Sequence, residues 1–178
     1  MKKAVKVGIA SGIIISIIFI AGSLIRKSIP QVSFENRGVY LFVIVGLVAL
    51  VFWTSMRYYS RSGNVKWGKL NLTGMIASFI AAITFSTAGF FYTRYVDPGY
   101  LSGMVDNSQK NWLSPSAFAG YVGNADLAFL SSPTSLAWNN FQDMLIGLVG
   151  IALITATVFY VLNKNKLPEH HDHHGLIF

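Results

Sequence analysis

Val7-Gly8-Ile9-Ala10-Ser11-Gly12-Ile13-Ile14-Ile15-Ser16-Ile17-Ile18-Phe19-Ile20-Ala21-Gly22-Ser23-Leu24-Ile25 runs for nineteen residues without an acid, a base or an imidazole. Hydrocarbon about 30 Å thick is crossed by a helix of roughly 20 such residues. Lipid offers the backbone no water, so helical hydrogen bonding is the conformation open to the run. Its centre, Gly12 to Ile20, is apolar but for Ser16 and shows no alternation. A strand of a membrane barrel would instead alternate apolar and polar residues. Three more stretches have the same character: Val39 to Met56, Leu70 to Thr93 and Met144 to Leu162. These runs predict an all-α fold, an integral membrane four-helix bundle with spans at 7–25, 39–56, 70–93 and 144–162.

Composition agrees. The chain is 53% hydrophobic and 12% charged, with a mean hydropathy of +0.50, where a soluble domain carries roughly 25% charged residues. The first run, with Lys2, Lys3 and Lys6 before it and Ala21-Gly22-Ser23 inside it, has the outline of a secretory signal. It is read as a retained span that also directs insertion. The chain has no cysteine, hence no disulfide and no thiolate metal site.

The net charge of +7 does not form one patch, as a nucleic-acid surface would require; the fourteen basic residues flank the apolar runs. With the N-terminus in the cytoplasm, nine fall on that side: Lys2, Lys3, Lys6, Arg57, Arg61, Lys66, Lys69, Lys164 and Lys166. Arg26, Lys27, Arg37, Arg94 and Lys110 fall on the other. The excess of cytoplasmic Lys and Arg predicts that both termini are cytoplasmic. Tyr58, Tyr59 and Trp67 at one boundary and Tyr92, Tyr95 and Trp138 at the other suit the headgroup layers.

Residues 1–166 form the membrane domain and 167–178 a polar tail. The Ser62-Gly63-Asn64 turn predicts a tight hairpin of helices two and three. A long outer loop, 95–140, separates helices three and four. In it Asp97-Pro98 and Ser114-Pro115 have the order of a cap and a first helical residue, so short helices are expected there. Ser132-Pro133 repeats the signal and starts the fourth helix near Pro133, with Trp138 and Phe141 in the outer interface. Phe118, Tyr121, Leu127, Phe129 and Leu130 predict that the loop lies on the membrane or caps the bundle.

Two stripes of small residues four apart stand out: Gly8, Gly12 and Ser16 in the first span, and Gly74, Ser78, Ala82 and Ser86 in the third. Small residues at that spacing let helix backbones approach closely, so these positions are expected to pack the helices together or to meet a partner. Gly147 with Gly150, and Gly46 with Ala49, offer looser versions. Thr73, Ser78, Thr84, Ser86 and Thr87 either line a polar path or bond to carbonyls one turn back, the commoner arrangement. No span holds Asp, Glu, His, Lys or Arg, so an autonomous ion-coupled pump is not expected. In the tail, His170, His171, His173 and His174 with Glu169 and Asp172 offer metal ligands. On one short segment they predict at most a weak or adventitious site. No catalytic set and no cofactor motif is legible.

Met1-Lys2-Lys3 with Gly8 and Gly12, the turn Met56-Arg57-Tyr58-Tyr59-Ser60-Arg61, the opening Val65-Lys66-Trp67-Gly68-Lys69 and the exit Tyr92-Thr93-Arg94-Tyr95-Val96-Asp97-Pro98-Gly99-Tyr100-Leu101 resemble a family of small four-helix inner-membrane proteins of Bacteroidota. Its function is unknown. The resemblance covers roughly the first hundred residues, and the fourth span in position only. The Gly-, Ser- and Asn-rich third loop and the histidine tail depart from it. It implies a four-span inner-membrane fold and supplies no catalytic residue. The expected partners are membrane lipids and other membrane subunits, with no nucleic acid. The expected role is a non-catalytic accessory or structural subunit of a larger complex. A small transporter or channel component, or an enzyme acting on a lipid-linked substrate at the outer loop, are the other classes.

Overall fold

Four long helices carry the computed structural model, which describes residues 2–28, 37–61, 66–99 and 132–163. They are α1, Lys2–Ser28; α2, Arg37–Ser60; α3, Trp67–Phe91; and α4, Pro133–Asn163. Each is long and apolar enough to cross a membrane. Among the described residues there is no strand, and the architecture fits a multi-pass membrane protein.

Every helix outruns its charge-free stretch. Lys2, Lys3 and Lys6 lie within α1 and Arg57 within the last turn of α2, because long basic side chains carry their charge to the interface while the backbone stays helical. The fourth helix begins at Pro133, where the missing amide costs no hydrogen bond. The amide of Leu136 donates to the carbonyl of Ser132 at 3.0 Å. Pro133 to Asn140, counted above in the outer loop, are therefore helical. At its far end α3 passes into one wide π turn, Tyr92–Val96, where the amide of Asp97 reaches back five residues to the carbonyl of Tyr92 at 2.9 Å.

Around the bundle the order is α1, α3, α4, α2. Helix α3 packs most extensively on α1 and α4, and α2 packs on α1 and α4 but scarcely on α3. This corrects the hairpin expected of helices two and three, which lie on a diagonal. The short link allows it: six residues reach roughly 20 Å when extended, whereas helices 8–10 Å apart in a square lie about 13 Å apart corner to corner. Helices α1 and α3 run parallel, and α4 runs antiparallel to α3. The starts of α1 and α3 and the ends of α2 and α4 share one end, as the pairs Lys3 with Tyr58 and Trp67 with Thr157 show. We call it the basic end.

The core is built from Ile15, Val48, Phe52, Met56, Leu70, Leu148 and Phe159 among small residues Ala77, Ala81, Ala152 and Ala156. Outside, Ile13, Ile17, Phe42 (79% exposed), Met75, Phe79, Ile83, Ile146 and Ile154 form an apolar perimeter. Large apolar residues outside, with small and hydroxylated ones interleaved among the large ones inside, is the distribution expected when lipid, not water, surrounds the helices.

Candidate functional site

Gly8 and Gly12 sit at the α1–α3 seam. A Cβ on Gly12 would lie 2.7 Å from the carbonyl oxygen of Ala77 and 2.7 Å from the Cβ of Ile80. On Gly8 it would lie 2.9 Å from the Cβ of Ile76 and 3.0 Å from the carbonyl oxygen of Thr73. The isoleucines of α3 thus fill the notches of α1. Ser16, one turn on, is buried, and its hydroxyl donates to the carbonyl of Ile13 at 2.8 Å.

The α3 stripe does not face the α1 stripe. Gly74 meets α4, where its Cβ would stand 2.8 Å from that of Ala152, and Ser86 reaches a groove against α4 at the other end. Ser78 and Ala82 between them are fully buried. Gly46, Gly147 and Gly150 do not make the contacts their looser spacing suggested, since a Cβ at any of them would meet nothing within 4 Å.

Four buried hydroxyls are occupied by their own helices. Thr73 donates to the carbonyl of Lys69 at 3.0 Å, Ser78 to Gly74 at 2.9 Å, Thr93 to Gly89 at 2.9 Å and Thr155 to Ile151 at 2.7 Å. Between α1 and α2, Ser11 and Ser55 share a hydrogen bond while each also lies within reach of its own helix carbonyl, Val7 or Val51. Two protons serve three contacts there. Thr84 and Thr87 are exposed, so the hydroxyls of α3 do not line one path. Two buried groups have no partner among the described residues: both amide atoms of Asn71 and the hydroxyl of Ser86, each residue 6% exposed. Sequence reading passed over Asn71, whose signal was available as the single amide at the head of an apolar run.

Among the described residues, two grooves open on the perimeter. One, about 340 Å³, lies between α3 and α4 and is lined by Ser86, Thr87, Phe90, Thr134, Trp138 and Phe141. Trp138 stacks on Phe141 with ring centroids 5.9 Å apart. The other, about 400 Å³, lies between α1 and α2 towards the basic end, with Lys6, Ala10 and Ile14 on one rim, Thr54 and Tyr58 on the other, and Val7, Ser11 and Ser55 beneath. Lys3 holds its ammonium 5.2 Å from the centre of the Tyr58 ring.

Among the described residues no three His, Asp or Glu side chains gather as a metal site. His170, His171, His173 and His174 lie outside the described residues, as do the apolar loop residues from Phe118 to Leu130 and the segment after Pro115. Comparison with family models, with curated proteins and with solved structures returns no match for the chain.

Proposed function

We propose that the chain is a non-catalytic accessory or structural subunit of a larger complex in a bacterial inner membrane, with both termini in the cytoplasm. The observation that carries this reading is how the polar groups inside the bundle are used. Thr73, Ser78 and Thr155 give their protons to carbonyls one turn back, and none of the four charge-free runs contains Asp, Glu, His, Lys or Arg. Coupled transport needs such groups to hold or relay charge. What the bundle offers is two closely packed seams and a broad apolar perimeter, the equipment of a part that is held by neighbours. The choice of membrane rests on the family resemblance, and the orientation on the basic residues.

Asn71 and Ser86, buried without partners among the described residues, favour a second reading as a transporter or channel component. The chain has no cysteine, so single cysteines at Ser78 and Ser86 can be probed with a membrane-impermeant thiol reagent in intact membranes. Refusal at both supports the subunit; labelling of both transfers the assignment to a polar path. Co-purification from native membranes in mild detergent tests the complex directly, and recovery of the chain alone in every detergent tried rejects it. Reporters fused after Lys166 and within the second loop should both read cytoplasmic; a periplasmic signal from either overturns the orientation.

A further inference from the structure

We propose that the α1–α2 groove is a binding site for one anionic phospholipid, with its phosphate at Lys3 and Lys6 and an acyl chain laid along the groove towards Ile14. The two ends of the groove differ in kind. At one end Lys6 lines it and Lys3 stands beside it, held over the Tyr58 ring. Arg61, in the turn just past the end of α2, follows Thr54 and Tyr58 at helical spacing. At the other end Ala10 and Ile14 are apolar and exposed, and Ile13 and Ile17 continue the apolar surface of α1. Lys6 to Ile14 spans roughly 12 Å of helix. The occupant must therefore be an amphiphile with an anionic head.

Charge fixes its sign. Among the described residues the only carboxylates are Asp97 and Asp143, and both belong to the opposite end of the bundle. A zwitterionic headgroup would bring its own cation to a place with none of these acids to receive it. A free phosphate would use the lysines but leave the apolar length of the groove empty. The hydroxyls of Ser11 and Ser55 beneath, with two protons for three contacts, can turn one proton towards an ester oxygen without breaking a seam. The proposal stands independently of the subunit reading and of the orientation.

Full-length protein, delipidated in detergent, is titrated with phosphatidylglycerol or with phosphatidylcholine of the same acyl chains, and bound lipid is counted by native mass spectrometry. We expect one phosphatidylglycerol retained about tenfold better than phosphatidylcholine. Lys3→Gln and Lys6→Gln should each weaken it about fivefold, the equivalent of about 1 kcal/mol per cation. Lys69→Gln removes an exposed cation at the same end but off the groove, and should leave retention unchanged. Ala10→Phe, or Thr54→Phe from the other rim, should abolish retention of phosphatidylglycerol; both positions are exposed, so either ring can fill the groove without entering the bundle. Equal retention of the two lipids, or equal loss in Lys69→Gln and Lys6→Gln, overturns the proposal in favour of diffuse attraction. Displacement by millimolar inorganic phosphate together with indifference to both phenylalanines overturns it in favour of a free-anion site.

Discussion

Adding one methyl group to Gly12 and one to Gly46 should move stability in opposite directions. At Gly12 the new Cβ would lie 2.7 Å from a backbone carbonyl, that of Ala77, about 0.7 Å short of the 3.4 Å at which ordinary contact begins. A carbonyl in the middle of α3 cannot swing aside as a side-chain tip can, so α1 and α3 must separate. Opening a contact by 0.5–1 Å forfeits roughly a quarter to a half of its dispersion energy, and overpacking of this kind costs about 1–3 kcal/mol. At Gly46 nothing lies within 4 Å, and replacing a helical glycine by alanine there gains about 0.5–1 kcal/mol. The two variants should thus differ by roughly 1.5–4 kcal/mol. Reversible unfolding in mixed micelles, read by tryptophan fluorescence, measures both against the parent chain. If Gly12→Ala is as stable as Gly46→Ala, the close approach of α1 to α3 is not what holds the bundle, and both seams must be reconsidered.

At the α3–α4 seam, Gly74→Ala should destabilise and Ala152→Gly in the same chain should restore stability, with a coupling of at least about 0.5 kcal/mol in a double-mutant cycle; strict additivity would mean that the two residues do not meet. Asn71→Leu removes a buried amide that has no partner among the described residues, a group whose burial costs about 1–3 kcal/mol. The isolated protein should therefore unfold at higher temperature, and a lower one would show that something bound satisfies the amide. Truncation after Leu167 should leave a stable, membrane-inserted bundle, with or without chelator, since metal binding that organised the fold would count as folding free energy; loss of stability after either treatment refutes this.

The helices were legible because crossing a membrane is a one-dimensional test of length and hydropathy. Val7 to Ile25 satisfies it without reference to any other part of the chain. Their neighbours were not legible. Helices that are apolar all round carry no amphipathic stripe to mark an inner face, so nothing in Leu70 to Thr93 says that α1 and α4, and not α2, lie beside it. Small residues marked where backbones approach, but not which partner fills the notch. Gly8 and Gly12 receive Ile76 and Ile80, bulky residues that sequence reading had no reason to single out. Strict four-residue spacing separated Gly8, Gly12 and Gly74 from Gly46, Gly147 and Gly150, because only the strict repeat keeps successive notches on one line of contact.

The faces of α3 show how residue size sets the order of the bundle. Thr73, Ile76, Ala77 and Ile80 turn to α1, and Trp67, Gly74 and Ser86 turn to α4. Leu72, Met75, Phe79 and Ile83, spaced three and four apart, form its exposed perimeter. Helix α2 has no such notches and is held by bulk: Val48, Phe52 and Met56 inside, and Trp53 edge-on to Phe159 of α4 with ring centroids 5.0 Å apart. A notch filled by the facing helix, as at Gly8, Gly12 and Gly74, leaves no space for a ligand at that point, and the groove of the α3–α4 seam opens away from Gly74, beside Ser86. A seam made by bulky residues closes only where the bulk is. Along α1 and α2 that leaves the stretch from Lys6 to Ile14, where Ala10 is small and Ser11 meets Ser55, open to the surroundings. Both grooves thus lie where no filled notch draws the helices together, and ligands of this protein should be sought in them before the interior.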